Sequence, residues 1–457
     1  MFAAFAALMI GCGDDGGDSA SDAGSSSGVA SAEPTSSAGP SSSSGAGSDS
    51  DSGASETGSA STSTGDGSAS DVSTSAGTSG GVKFDVAEMP DVPGVGCGLV
   101  NCGESDWSYI WIANSSESTV SKINTRTLEE EGRYLTRETP GNPSRTSVSI
   151  DGRAVAVANR NGGVVKIWAR PEDCAGANTS TGPDDVKPWG EDDCVAWFTD
   201  FPEAASQRPV AWTSGVWNED TCQWEDQKIW TGEGWGPGNG FCDDTKIYVH
   251  RLNGDTGVVE DTVELNYPCT TFGIYGGVVD SNNDFWITRL FEGNPGALRI
   301  DYDTLTHDEA PSFYGYGITV DHEGKIWGGT GAPGKWDPMM QTWTTAMGNV
   351  NNVGVGLAED QQDRMWVGMY GGIQAIDVVE MTMLDTVMFD GEMSQCKGIS
   401  VDVDGYIWAV PDSQNRAYKV DPDTLEYEMI TGLVGAYTYS DMTGGALKSV
   451  TCNPPNG

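Results

Sequence analysis

Histidine is nearly absent from this chain: His250, His307 and His322 are the only three in 457 residues. A Ser–His–Asp hydrolase would have to use one of three scattered imidazoles. A finger-type zinc site would need paired CxxC knuckles, and there are none. Positive charge is also scarce, with 24 Lys and Arg against 67 Asp and Glu, a net charge of −43 and a pI near 4.1. That balance excludes nucleic acid, which is held through its phosphates by basic side chains, and gives no electrostatic hold on an anionic membrane. No apolar run reaches the roughly 20 residues of a membrane helix. Hydrophobic residues make up 37% of the chain, below the roughly 45–50% of an ordinary globular domain. Neither a Walker loop nor a GxSxG nucleophile turn occurs. Glycine, at 62 residues, is abundant, which favours turns and strands over helices.

The chain starts MFAAFAALMIGCG. Phe2–Ile10 is apolar throughout, the length of a signal-peptide core. Gly11-Cys12 then resembles a bacterial lipobox, in which a leader is cut before a Cys that takes lipid. No Lys or Arg precedes the run, and Met9 stands where Leu is usual. The expectation is a leader over 1–12 with Cys12 as the lipidated residue. Residues 13–82 are almost entirely Gly, Ser, Ala, Thr and Asp, a composition that cannot bury enough apolar surface to offset chain entropy. A disordered tether of about 70 residues would span on the order of 45 Å. A lead-in covers 83–104.

Nine further cysteines are Cys97, Cys102, Cys174, Cys194, Cys222, Cys242, Cys269, Cys396 and Cys452. In an exported chain they read as disulfides, and the odd count leaves at least one thiol unpaired within the chain. Cys174 and Cys194 bracket an insertion near 171–193. Cys222 and Cys242 fall in another at 214–245 and could pair, unless a strand at Lys228–Thr231 separates them.

The rest of the chain is periodic. GVVDSNNDFWI at 277, GITVDHEGKIWG at 317, GLAEDQQDRMWV at 356 and GISVDVDGYIWA at 398 share one design: a short strand, an Asp-led turn and a second strand reaching Trp286, Trp327, Trp366 or Trp408. SVSIDGRAVAVA at 147 is a weaker copy, and Trp111 marks a second strand near the start. A second motif follows each first one, as in SKINTRTL at 121, LRIDYDTL at 298 and YKVDPDTL at 418, and suits a hairpin between third and fourth strands. The turns count seven units of four strands, which predicts an all-β, seven-bladed β-propeller over 105–452. The units run roughly 105–138, 143–200, 206–266, 270–312, 314–349, 352–392 and 396–436. The first lacks an opening strand, and YTYSDMTGGALKSVT from Tyr437 has no partner of its own. If the chain's end supplies the innermost strand of blade one, the ring closes without a free edge. Cys97 or Cys102 would then lie near Cys452, where a disulfide would reinforce closure.

The Gly-x-x-x-Asp-x-x-Gly-x-x-Trp pattern resembles NHL and streptogramin (virginiamycin B) lyase-like propellers, over about 105 to 450. With its tether, the chain also resembles propeller lipoproteins of myxobacteria. The lyase resemblance implies a catalytic His with a neighbouring Glu and a magnesium ion held by acidic residues. None of the three His has a Glu two residues before it. His322 and His307 fall in turns, and His250 in a third strand away from the axis, so this machinery does not carry over. The expected function is a binding module on a cell envelope, monomeric, for a small molecule, glycan or protein. The alternative is a propeller lyase or a hydrolase working through paired carboxylates.

Calcium or magnesium is a possible cofactor. DSNND at 280 and DVDG at 402 look like fragments of calcium loops, although neither completes an EF-hand and capping of β-turns explains the same residues. Trp189, Trp217, Trp224 and Trp235 lie in the insertions, either packed on them or forming a binding patch. The loops expected around one end of the axis carry Asn142, Arg145, Asn159, Arg160, Tyr275, Arg289, Tyr314, Tyr316, Asn351, Asn352, Tyr370, Gln395, Lys397, Tyr437 and Tyr439. Four scarce basic residues in that set (Arg145, Arg160, Arg289, Lys397) would focus a positive potential for an anionic or polyhydroxyl ligand. The alternative is that they pair with nearby Asp and Glu to hold the loops.

Overall fold

The computed structural model describes residues 108–452, apart from 139, 238–240 and 291–295. Cys12, Cys97, Cys102 and the expected leader, tether and lead-in lie outside the described residues. What is described is a β-propeller of antiparallel sheets. Five sheets have four strands each, ordered as the repeat predicts. One, for example, runs Ile274–Val279, Phe285–Arg289, Ala297–Ile300, His307–Ala310. A sixth, seven-stranded sheet joins the unit Cys396–Val401, Ile407–Pro411, Gln414–Val420, Tyr427–Ala436 to the strands Tyr109–Asn114, Thr119–Asn124 and Glu130–Leu135 of the opening unit.

That junction is where the ends of the ring meet. Asn114 pairs with Ala436. Tyr437 N–H donates to the Ala113 carbonyl at 3.1 Å, and Trp111 N–H to the Met442 carbonyl at 3.0 Å. The chain's end therefore does lie along the first unit, but only as far as Met442. From there it departs from the expected strand: Gly445–Cys452 is an α-helix. The Asp441 carboxylate accepts the N–H groups of Ala446 and Leu447 at 3.1 and 3.0 Å, holding the first turn. Leu447 and Val450 are buried against Val210 and Trp212, and against Val278 and Ile318, so the helix fills the axis where the inner strands finish. A strand there would leave that apolar surface open; a helix covers several units at once.

The four strong repeats share one clasp. In each, the Asp of the first turn accepts the indole N–H of the Trp six residues on: Asp280–Trp286 at 2.9 Å, Asp321–Trp327 at 2.8 Å, Asp360–Trp366 at 2.8 Å and Asp402–Trp408 at 2.9 Å. The other carboxylate oxygen takes turn N–H groups, including that of the fourth residue on. The buried indole and the turn are thus satisfied by one side chain. In DSNND and DVDG, Asp280 and Asp402 are used this way, Asp284 is engaged by Arg299 and Tyr302 N–H, and Asp404 by Arg126, so these carboxylates serve turns and ion pairs. Trp111, in the unit without such an Asp, has a buried Nε1 with no hydrogen-bond partner. The outer hairpins use Asn124, Asn253, Asp301, Asp337, Asp377 and Asp421, each accepting the N–H groups two and three residues on.

The 171–193 insertion joins third and fourth strands and is closed by Cys174–Cys194. The second insertion is split by the blade strand Lys228–Trp235, and this separates Cys222 from Cys242. Cys242 pairs instead with Cys269. Cys222 and Cys452 are each engaged in a disulfide of their own, and Cys396 is free and buried. Such bonds point to an oxidising compartment. The insertion tryptophans pack locally: Trp189 on Phe198, Trp217 on Trp224 and Trp235 on Tyr248.

Replacing Asp321 with Ala strands the buried Trp327 N–H and the Lys325 N–H together. At about 1–3 kcal/mol per orphaned group, urea unfolding should show a loss of roughly 2–5 kcal/mol. The cost should shrink in a Trp327→Phe background, where one orphan is already gone.

Candidate functional site

At the end of the axis opposite the helix, where the inner strands begin, the structure gathers cations and phenols. Arg145 comes from Pro143–Val148, Arg208 from Ala204–Trp212, Tyr275 from Ile274–Val279 and Lys397 from Cys396–Val401. Tyr316 immediately precedes Gly317–Val320, Arg160 follows Ala154–Asn159, and Tyr437 and Tyr439 follow Tyr427–Ala436. Tyr275, Tyr316 and Lys397 stand at or beside the first residues of their inner strands. Gly354 makes room for Tyr316: a Cβ there would fall 2.4 Å from the ring.

The hydroxyls of Tyr275, Tyr316 and Tyr437 form a closed triad. Tyr437 lies 2.9 Å from Tyr275 and 2.8 Å from Tyr316, and Tyr275 and Tyr316 are themselves hydrogen-bonded. Lys397 Nζ donates to the Tyr316 hydroxyl at 2.8 Å. The Arg145 guanidinium lies 3.2 Å from the Tyr439 ring centroid, donates to the Tyr439 hydroxyl and reaches the Tyr275 carbonyl at 3.1 Å. Arg160 lies 4.2 Å over Tyr437, and Arg208 5.0 Å over Tyr275 and 4.6 Å over Phe272. These are cation–π distances, and they count for more when desolvated. Arg145, Arg160, Arg208 and Lys397 are all buried.

The nearest carboxylate recorded for Lys397 is Asp412, at 3.8 Å. For Arg145 and Arg160, no carboxylate lies within ion-pair distance among the described residues. Their neighbours are phenols, so the expected pairing with loop Asp and Glu is not what holds them. Arg145 Nε and Arg160 Nε are buried without a hydrogen-bond partner.

This environment redistributes protons. Burial lowers the Arg145 guanidinium to about 9, and burial lowers Arg208 with Arg160 adding to it. Burial alone would raise the Tyr437 phenol, but Lys397, Arg160, Arg145 and Arg208 outweigh it and bring Tyr437 down to about 8. Tyr275 and Tyr316 move the other way, raised by burial and by the neighbouring phenols. One phenol of the triad is therefore the acid, and its neighbours are the donors that stabilise its anion.

Other members of the expected set lie elsewhere. Asn159 is buried and structural, bonded to Thr136 and the Gly163 carbonyl. Asn352 donates to the Gly368 carbonyl. Asn142 is the partner of the Arg160 guanidinium. Arg289 donates to the Pro268 carbonyl at 2.9 Å and lies 4.7 Å over Tyr267, outside the triad's contacts. Asn351 and Tyr314 are exposed, and Tyr370 is at the rim, bridged to Gln395. Arg208 was missed. It stands mid-strand in SQRPV, and only its register, level with Tyr275 on the neighbouring strand, could have pointed to it.

Two of the three histidines do acquire carboxylate partners, from places a linear spacing rule cannot see. His250 Nε2 lies 3.0 Å from Glu233 across a strand pair, and His322 Nδ1 lies 2.8 Å from Glu359 of the next unit. His250 is buried, against Phe201, and its other ring nitrogen is bonded to Thr262.

No known family model and no curated protein sequence matches the chain. Solved structures do match in fold. A functionally unknown protein from Desulfotomaculum acetoxidans is 11% identical, over 73% of this chain and 97% of its own, with a TM-score of 0.50. A streptogramin B lyase is 15% identical, over 68% and 88%, with a TM-score of 0.47. AztD from Citrobacter koseri is 12% identical, over 72% and 96%, with a TM-score of 0.45. The class is that of β-propellers; at these identities the likeness is one of fold alone.

A pH titration followed by phenolate absorbance should show one tyrosine ionising near pH 8, absent in Tyr437→Phe. Because this pKa is depressed from about 10, the folded state holds fewer protons than the unfolded one between pH 8 and 10. The Tyr437 contribution to stability should therefore be full above pH 10 and be lost as pH falls through 8, which urea midpoints across that window would record.

Proposed function

We propose that this protein is an exported, lipid-tethered binding module whose axial cation–tyrosine cluster takes a small anionic or polyhydroxyl ligand. The observation that carries this reading is the convergence of Arg145, Arg160, Arg208 and Lys397 on three hydrogen-bonded phenols in a chain of net charge −43. Four of only 24 basic residues, buried together, concentrate a positive field that the acidic surface does not provide. The partly exposed Tyr316 and Tyr437 are the groups a ligand meets first, with Arg160 and Lys397 beside them. Carboxylate, phosphate or vicinal hydroxyls would replace the triad's internal hydrogen bonds with bonds of their own. A tether of the expected length would hold the module clear of the membrane.

A second reading, a propeller lyase, draws on Tyr437, whose phenolate would be available as a proton acceptor near neutral pH. Tyr437→Phe should then abolish turnover of a bound substrate while leaving its binding measurable.

Calorimetric titration of the full chain with inorganic phosphate, citrate and glucuronate tests the binding reading. At least one should bind one per chain, more weakly as salt rises. The Arg160→Gln, Lys397→Met double variant should lose about ten-fold or more in affinity, about 1.4 kcal/mol. Equal affinity in wild type and double variant would remove the cluster as the site.

A further inference from the structure

The internal repeat supplies a control for each position, and at one place a unit departs from it twice in the same direction. The residue before the clasp Asp is Val279, Val320 and Val401 in three of the four strong repeats, all buried. In the fourth it is Glu359, at the end of the strand Leu357–Glu359, with its side chain 2% exposed. A carboxylate in a valine's place carries a desolvation cost that packing does not repay. Three residues after the clasp Asp, two repeats use Gly324 and Gly405 at φ +77° and +88° and a third uses the neutral Asn283 at φ +66°, residue types at ease in that region. Here the residue is Asp363, at φ +58°.

Both departures face His322, in the corresponding turn of the neighbouring unit. His322 Nδ1 lies 2.8 Å from Glu359 Oε1 and 3.6 Å from Asp363 Oδ1. The second Glu359 oxygen accepts the His322 backbone N–H at 2.6 Å, which fixes the carboxylate's orientation. One donor atom from each of the three lies within 4.8 Å of the others, the one such group among the described residues. The adjacent Asp321 and Asp360 are committed to Trp327 and Trp366 and take no part.

The geometry points to a divalent transition-metal site, zinc by its donor set, held by His322, Glu359 and Asp363 across two neighbouring units and completed by water. Zinc–ligand bonds of about 2.0–2.2 Å in a tetrahedron put donors roughly 3.3 Å apart, and the two observed separations bracket that value. One imidazole and two carboxylates suit zinc. They fall short of the six to eight oxygens calcium takes. The incoming ion replaces the proton shared between His322 Nδ1 and Glu359, which leaves to solvent. His322 and Asp363 are partly exposed, so the ion has a way in. This site is independent of the axial cluster.

The test is calorimetric titration of the EDTA-stripped full chain with zinc chloride, alongside cobalt as a spectroscopic stand-in. Variants are Glu359→Val, which installs the residue the other repeats carry and so preserves the fold, and the exposed Asp363→Asn. The expected result is one saturable zinc per chain and a four-coordinate cobalt spectrum. Affinity should fall at least about ten-fold in both variants, and zinc should raise the melting temperature of wild type but not of Glu359→Val. Equal zinc binding by wild type and Glu359→Val would assign the ions to the acidic surface at large and overturn the site. So would no saturable binding by wild type. Loss in Glu359→Val with full retention in Asp363→Asn would overturn the three-ligand arrangement.

Discussion

The hydrogen bond from a buried indole to the Asp six residues before it is the interaction on which the rest depends. A tryptophan large enough to fill the space between neighbouring sheets brings an N–H that the core cannot leave unpaired. The Asp that accepts it also ties down the turn between the first two strands, so one carboxylate links core packing to turn geometry. Burial raises the pKa of Asp280, Asp321 and Asp402, while the indole and backbone donors oppose that rise. Because each clasp is closed within its own unit, the residues around it can differ from one repeat to the next.

The distribution of charge runs opposite to the composition. The chain as a whole repels anions, yet its axis holds four buried cations at one end. Phenol rings face Arg145, Arg160 and Arg208, and Lys397 bonds a phenol hydroxyl beside its Asp412 partner. A phenol presents a π face to a guanidinium and a hydroxyl to an ammonium without the desolvation cost of a second full charge. The result is a buried concentration of positive charge that full pairing with carboxylates would have cancelled. The C-terminal helix closes the other end of the axis with Leu447 and Val450, so the ends of the axis are chemically distinct.

Much of the fold was legible because the repeat is written in residues that have few other uses. A Trp at intervals of 41, 39 and 42, each preceded by an Asp at a constant six residues, leaves little besides a propeller blade. The Cys174–Cys194 closure was readable for the same reason, since both residues bracket one loop. Cys242–Cys269 was not, because two strands, Ile247–Asn253 and Val259–Leu265, lie between the partners. The candidate site was legible in part. Arg145, Arg160, Lys397, Tyr275, Tyr316 and Tyr439 could be listed from their loops and strand starts, but so could Arg289 and Asn159, which serve elsewhere. Loop membership gives the end of the axis and not the direction in which a side chain turns.

The sequence by itself determined the repeat, the turns and the all-β class, because those follow from spacing along a single strand pair and the local demands of Asp, Gly and Trp. Tertiary structure alone decided which phenols share hydrogen bonds and that Arg208 joins Arg145 beside Tyr275. It decided too that the last residues form a helix across the axis, and that Glu359 and Asp363 meet His322. Each of these depends on contacts between residues tens to hundreds of positions apart. Their distances are set by how the sheets pack around the axis, which no local pattern encodes.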